Sequence, residues 1–206
     1  MRIAVLFSGR IAGYKNNYKS IIENLVNGNE ADFFLSHSPE LDEDLGGFID
    51  LYNPVILNND EIKYTDITKY LPKPGGCKHR IMCMFFNRKR VFEDLKKYMK
   101  ENKKEYDLYI SCRVDVSYID KLDFKIFQDC RDNDIFIPNI YDYEGINDQF
   151  AIGNLKAMEK YMLVYDEIIN MINYVTIVYP EIILLTYLQK NEINIHRFDL
   201  LYKLNS

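Results

Sequence analysis

A chain of 206 residues, 48% hydrophobic and 28% charged, has the makeup of a folded protein with a real core, suited to one compact domain spanning residues 1–206. Its formal net charge of −5 argues against a general nucleic-acid partner, which needs a basic face to displace counterions from phosphates. The longest early apolar run, "IAVLF" (3–7), is too short for a signal peptide or a membrane span, and no later segment is apolar for long enough either.

That run reads as a strand buried on both faces. The loop "SGRIAGY" (8–14) follows, then a helix over 15–27 with Tyr18, Ile21, Ile22 and Leu25 on one stripe and Gly28 at its end. "ADFFLSH" (31–37) is a second strand. Residues 39–51 predict a short helix with acidic residues near its start, and "PVIL" (54–57) a third strand. The order β-α-β-α-β implies an α/β protein: a Rossmann-related, mostly parallel sheet flanked by helices.

"YLPKPGGCKHR" (70–80) is a proline- and glycine-rich loop leading into a long helix, roughly 80–102, with Ile81, Phe85, Phe92, Leu95 and Met99 as its apolar row. Strands are expected over 106–112, near 134–140 and at the end of 147–154. An amphipathic helix is expected over 155–172, a helix over 180–190 opened by Pro180, and a last strand over 193–198. Cys77, Cys83, Cys112 and Cys130 form no C-x-x-C pair and fit no zinc spacing, so they read as reduced thiols of a soluble, cytoplasmic protein.

Four places carry candidate chemistry. In "YDLYISCRVDVSY" (106–118), strand alternation puts Arg113 and Asp115 on one side at the strand's C-terminal end, where ligands bind in open α/β sheets. A carboxylate there can hold a divalent cation; an ion pair at a strand end is an equally good reading. The loop Ser8, Gly9, Arg10 lies where α/β proteins meet nucleotides, but it is neither G-x-G-x-x-G nor a P-loop. Lys78, His79 and Arg80 sit at a loop-to-helix junction that favours anions. Asp148, with Gln149 beside it, precedes an apolar run and is placed to enter a cleft, where a carboxylate can act as a base or stabilise positive charge. His196 lies in the last strand, where most histidines have no ligand role. Glu181 reads as a helix N-terminal charge.

"MRIAVLFSGR", "ADFFLSHS", "MFFNRKR", "YDLYISCRVDVSY", "NDQFAIGN" and "YPEIILLTYLQKNEINIH", in that order, resemble the nucleotide-sugar-dependent glycosyltransferases of GT-A architecture over nearly the whole chain. More narrowly, the likeness is to a viral glycosyltransferase domain that helps build capsid glycans and is followed by further domains. The resemblance implies a UDP-sugar donor, a glycan or glycoprotein acceptor and Mn2+ (or Mg2+). The family's D-x-D triplet, which bridges metal and diphosphate, falls on Arg113-Val114-Asp115. Its second acid is kept as Asp115 and its first replaced by Arg113. Asp148 and Gln149 match a D-Q-F motif at the sugar and acceptor site. Ser8, Gly9 and Arg10 match the nucleotide loop, and His196 the C-terminal histidine that joins the metal. In the implied reaction Asp148 is the base if configuration inverts, and it orients sugar or acceptor if configuration is retained; retention is slightly favoured because no unmistakable base stands out. Two rivals remain: a sugar-phosphate nucleotidyltransferase, disfavoured by the lack of a glycine- and lysine-rich N-terminal loop, and a non-catalytic sugar-nucleotide-binding domain, kept in play by Arg113.

Overall fold

The computed structural model describes residues 1–38, 44–63 and 73–205. Its strands are β1 (Arg2–Ser8), β2 (Glu30–Ser36), β3 (Ile56–Asn58), β4 (Leu108–Cys112), β5 (Val116–Tyr118), β6 (Asp134–Pro138), β7 (Phe150–Gly153), β8 (Asn194–Phe198) and β9 (Tyr202–Leu204). Its helices are α1 (Tyr14–Ser20), α2 (Leu45–Tyr52), α3 (Lys78–Asn102), α4 (Leu155–Met162), α5 (Val164–Tyr174) and α6 (Pro180–Lys190). Seven strands form one sheet in the order β3-β2-β1-β4-β7-β6-β8. All run parallel except β7, which is antiparallel to both β4 and β6. β5 and β9 pair as a separate antiparallel ribbon.

β1 shows why its run is continuous. Ile3, Val5 and Phe7 enter one core with residues of α1 and α2, while Ala4 and Leu6 enter the other, beneath α3, α4, α5 and α6. A strand covered on both faces has no polar side to alternate with. β4 splits the same way: Leu108, Ile110 and Cys112 join the first core and Tyr109 the second.

The mostly parallel α/β sheet agrees with the sequence reading, and the departures have physical causes. The helix expected over 155–172 is two helices, α4 and α5, broken at Leu163 (φ −92°, ψ 16°). Both halves bury their stripes in one core, so the apolar period runs on through the break. The first helix changes to a π-helical turn at Ile21–Val26 and ends on Asn27 in the left-handed region, ahead of Gly28. The helix expected over 39–51 begins at Leu45, where Asp44 accepts from Gly47 N–H at 2.9 Å; residues 39–43 lie outside the described set. The ribbon β5–β9 was not expected, because three-residue strands carry no period. Among the described residues no helix is long and apolar enough to cross a membrane. The four cysteines are free thiols.

Candidate active site

A cavity of about 530 Å3 opens past the C-terminal ends of β1, β2 and β4, under the start of α3. Three residues of the first loop line it: Ser8, Gly9 and Arg10. Gly9 sits at φ +88°, a conformation that disfavours side chains, and its N–H donates to Ser36 O at 2.8 Å. The turn thus ties β1 to β2 and leaves Arg10 over the strand ends.

α3 supplies a polar stripe along the cavity: His79 and Arg80, then Cys83 and Met84, then Asn87 and Arg88. These steps of three and four residues put one helix face toward the ligand space. The stripe is anchored by a buried network. Ser36 Oγ donates to Asn87 Oδ1 at 2.8 Å, Asn87 Nδ2 donates to Ser38 Oγ at 2.8 Å, and Arg90 Nε donates to Ser36 Oγ at 2.7 Å. Arg90 Nη2 also reaches His37 O at 2.6 Å. Asn87 and Ser38 line the cavity, and the sequence reading missed both. The apolar row on the opposite side of α3 is what marked the helix, and it says nothing about the polar face.

Arg113 and Asp115 lie in the turn after β4 and face each other. Arg113 Nε donates to Asp115 Oδ1 at 2.8 Å and Nη2 to Oδ2 at 2.6 Å, a bidentate pair. Burial works against the Arg113 charge, but Asp115, with Asp148 adding, more than offsets it and holds the guanidinium above its usual range. The turn is fixed on both sides: Asn17 Nδ2 donates to Val114 O at 2.8 Å and Asn205 N–H to Asp115 O at 2.9 Å.

Asp148 enters the same cavity just before β7. Its backbone carbonyl accepts from Arg88 Nη2, and its carboxylate Oδ2 lies 3.7 Å from that nitrogen. Both side chains are buried. Arg88 also lies over the rings of Phe85 and Tyr161, at 5.3 and 5.5 Å. Its Nη1 is buried without a hydrogen-bond partner, and so is Gln149 Oε1. Buried polar atoms are normally paired, and Arg88 lines the cavity, so its Nη1 marks where a ligand completes the site.

Next to this lies a second cavity of about 430 Å3, lined by Tyr143, Glu144, Tyr179 and Glu181. Gly145 holds it together. A Cβ there would meet the Glu181 carbonyl carbon at 2.2 Å, so only glycine lets the loop before Asp148 lie against the start of α6. Ile146 N–H donates to Glu181 O at 3.1 Å across this contact. Burial, and then the negative charge of Asp148, pushes the Glu181 carboxyl up to about 7. Glu181 is the acid in the first turn of α6, as expected, and it also lines this cavity. The sequence names Glu181 but carries no sign of this environment, which is made by Gly145 and Asp148 from elsewhere in the chain.

Of the residues expected at the site, Ser8, Gly9, Arg10, His79, Arg80, Arg113, Asp115 and Asp148 meet at the first cavity. Lys78, Gln149 and His196 are not among its lining. Lys78 Nζ turns back and donates to Lys73 O. Gln149 is buried behind Asp148, its N–H donating to Asn147 Oδ1 at 2.8 Å. His196 lies on edge strand β8, stacked on Phe136, with Nε2 at 3.1 Å from Asp134 Oδ1. β8 reaches β4 only through β6 and β7, so His196 is not brought to Asp115.

That placement bears on the expected manganese. Hard cations want several oxygen ligands. Both oxygens of Asp115 are taken by Arg113, a cation itself, and the described residues hold no group of three histidine, cysteine or carboxylate side chains able to bind a metal. A divalent ion at Asp115 would have to compete with the Arg113 guanidinium for the carboxylate.

No family model and no curated protein matches the sequence. A solved structure does match: the apo form of the glycosyltransferase GlyE from Streptococcus pneumoniae TIGR4, with a TM-score of 0.50 and 13% sequence identity. The fold is shared with a glycosyltransferase. The match covers 94% of this chain and 44% of that one, so this chain spans less than half the length of GlyE.

Proposed function

We propose that this chain transfers a sugar from a nucleoside-diphosphate sugar to a hydroxyl of a glycan acceptor. The observation that carries the reading is the first cavity: Arg10, Arg80, Arg88 and Arg113 converge with two carboxylates at the C-terminal ends of a parallel sheet, in a fold shared with a glycosyltransferase. UDP as the nucleotide and a hexose-type sugar follow the sequence resemblance, as does a glycan or glycoprotein as acceptor.

The chemistry follows from charge. As the bond between the anomeric carbon and the diphosphate oxygen breaks, its electron pair leaves with the diphosphate, and fixed guanidinium groups stabilise that growing charge. The sugar becomes positive at the anomeric carbon, beside the Asp148 carboxylate that Arg88 holds in place. The acceptor sits in the second cavity, where Tyr143 and Tyr179 offer aromatic faces to a sugar ring and Glu144 and Glu181 accept from its hydroxyls. Its attacking hydroxyl gives its proton to Glu181, whose raised carboxyl suits a base working near neutrality. A base on the acceptor side favours inversion, against the earlier lean toward retention.

The test is donor turnover. Purified protein is given a panel of nucleoside-diphosphate sugars with mono- and oligosaccharide acceptors, and nucleotide release is measured. The expected result is UDP release that an acceptor accelerates. Tight UDP binding with no release across the whole panel would instead mark a non-catalytic binding domain.

A further inference from the structure

We infer that the donor diphosphate is held here without a divalent cation, by arginines, with the Arg113 guanidinium standing where a metal would. This rests on the nucleotide-sugar reading above and goes beyond it. Three observations support it.

The first is geometry. Arg113 spends Nε and one edge of Nη2 on Asp115, which fixes the plane of the guanidinium at the mouth of the strand and leaves its Nη1 edge for an anion. Asp115 thereby acts as a positioning residue. The second is repulsion. Arg88 and Arg113 line the same cavity, so a divalent cation beside Asp115 would lie against fixed guanidinium charge. The third is the unpartnered donor. Arg88 is 4% exposed, lines the cavity, and keeps Nη1 without a partner, which a phosphate or sugar oxygen would satisfy.

UDP is titrated calorimetrically into the chain stripped with EDTA and again with Mn2+ added. The expected result is binding in EDTA, with Mn2+ changing Kd by less than about 3-fold, well under the effect of one charged hydrogen bond. UDP binding that appears only with Mn2+ overturns this inference and leaves the nucleotide-sugar reading standing. No UDP binding under either condition overturns both. Two variants add an independent reading. Arg113→Met should raise Kd about 10- to 100-fold, the value of charge-assisted hydrogen bonds, and more than Asp115→Asn does. The reverse order, with Asp115→Asn the more damaging and Arg113→Met retaining affinity, marks a carboxylate-bound metal and overturns the inference. Thermal unfolding of each variant confirms that it is folded.

Discussion

Two arginine–aspartate pairs face one cavity, and they are built differently. Arg113–Asp115 is bidentate, closed upon itself within three residues of chain, and its side chains are 41% and 13% exposed. Arg88–Asp148 joins α3 to the edge of β7 across the core, is only 5% and 7% exposed, and is loose at 3.7 Å with a spare donor. A pair whose guanidinium opens to water is more adjustable and adds less to stability than a fully buried one. A buried and incompletely satisfied pair is costly unless something completes it. The first pair presents charge to a ligand; the second stores an unmet need that a ligand can fill.

The sharpest way to break this contrast is to apply one substitution to both pairs. Arg88→Met leaves Asp148 buried without its cation and should cost about 3–5 kcal/mol in urea unfolding, with turnover falling about 1000-fold. Arg113→Met should cost less than Arg88→Met, because the pair it breaks opens to water through the 41% exposed guanidinium, while Arg88 and Asp148 are both buried. Adding Asp148→Asn to Arg88→Met should restore part of the stability and none of the turnover. Equal destabilisation by the two methionine variants would show that the pairs are energetically alike.

Glu181 sharpens the contrast, since its carboxyl is raised partly by Asp148. Turnover should rise as pH passes through about 7 and the carboxylate forms. Glu181→Gln should lower kcat about 100-fold or more and flatten that limb. The sign for stability is opposite. The native carboxyl titrates near 7 and an ordinary one near 4.5, so the native state holds the proton more tightly. This contribution is complete below 4.5 and lost as pH rises through 7. Wild type should therefore lose stability relative to Glu181→Gln across that window, read as a falling difference in Tm. A parallel pair of curves would remove Glu181 as the titrating base.

The next effect is smaller and purely steric. Gly145→Ala drives a methyl into the Glu181 backbone and should cost about 1–3 kcal/mol, the usual range for overpacking. It should also weaken acceptor use, seen as a raised acceptor KM, while UDP affinity stays within a few-fold. A loss of UDP affinity as large as that of acceptor use would mean that the two cavities are one.

What the sequence made legible follows from which forces are local. "IAVLF" (3–7) announces β1 because a doubly covered strand needs a continuous apolar run, and Pro180 announces α6 because a missing N–H costs nothing in a first turn. Arg113 and Asp115 were readable as neighbours at the end of β4, but the chain turns there rather than staying extended, and it is the turn that brings them face to face. The Arg88–Asp148 pair spans 60 positions, and the Ser36–Asn87 contact spans 51. Neither leaves a period or a motif, because long-range polar contacts are set by how the layers close and not by neighbours along the chain. The second cavity was hidden for the same reason: Tyr143 and Tyr179 meet only after Gly145 docks on α6.

The smallest expected effect concerns His196, and it bears on the metal from another side. Burial works against the Asp134 charge, yet hydrogen bonds from His196 and Asn194 hold its carboxyl below the usual range. His196 therefore has a structural task at the β6–β8 edge, and its half-exposed ring limits that task to about 1 kcal/mol or less. His196→Ala should leave the Kd for UDP unchanged both in EDTA and with Mn2+. Its loss of stability should shrink as pH falls low enough to protonate Asp134, since a carboxyl with a depressed native value loses its contribution there. A variant that binds UDP normally in EDTA but loses a manganese-dependent gain would put the histidine back beside the donor, which the strand order β4-β7-β6-β8 does not allow without moving two strands.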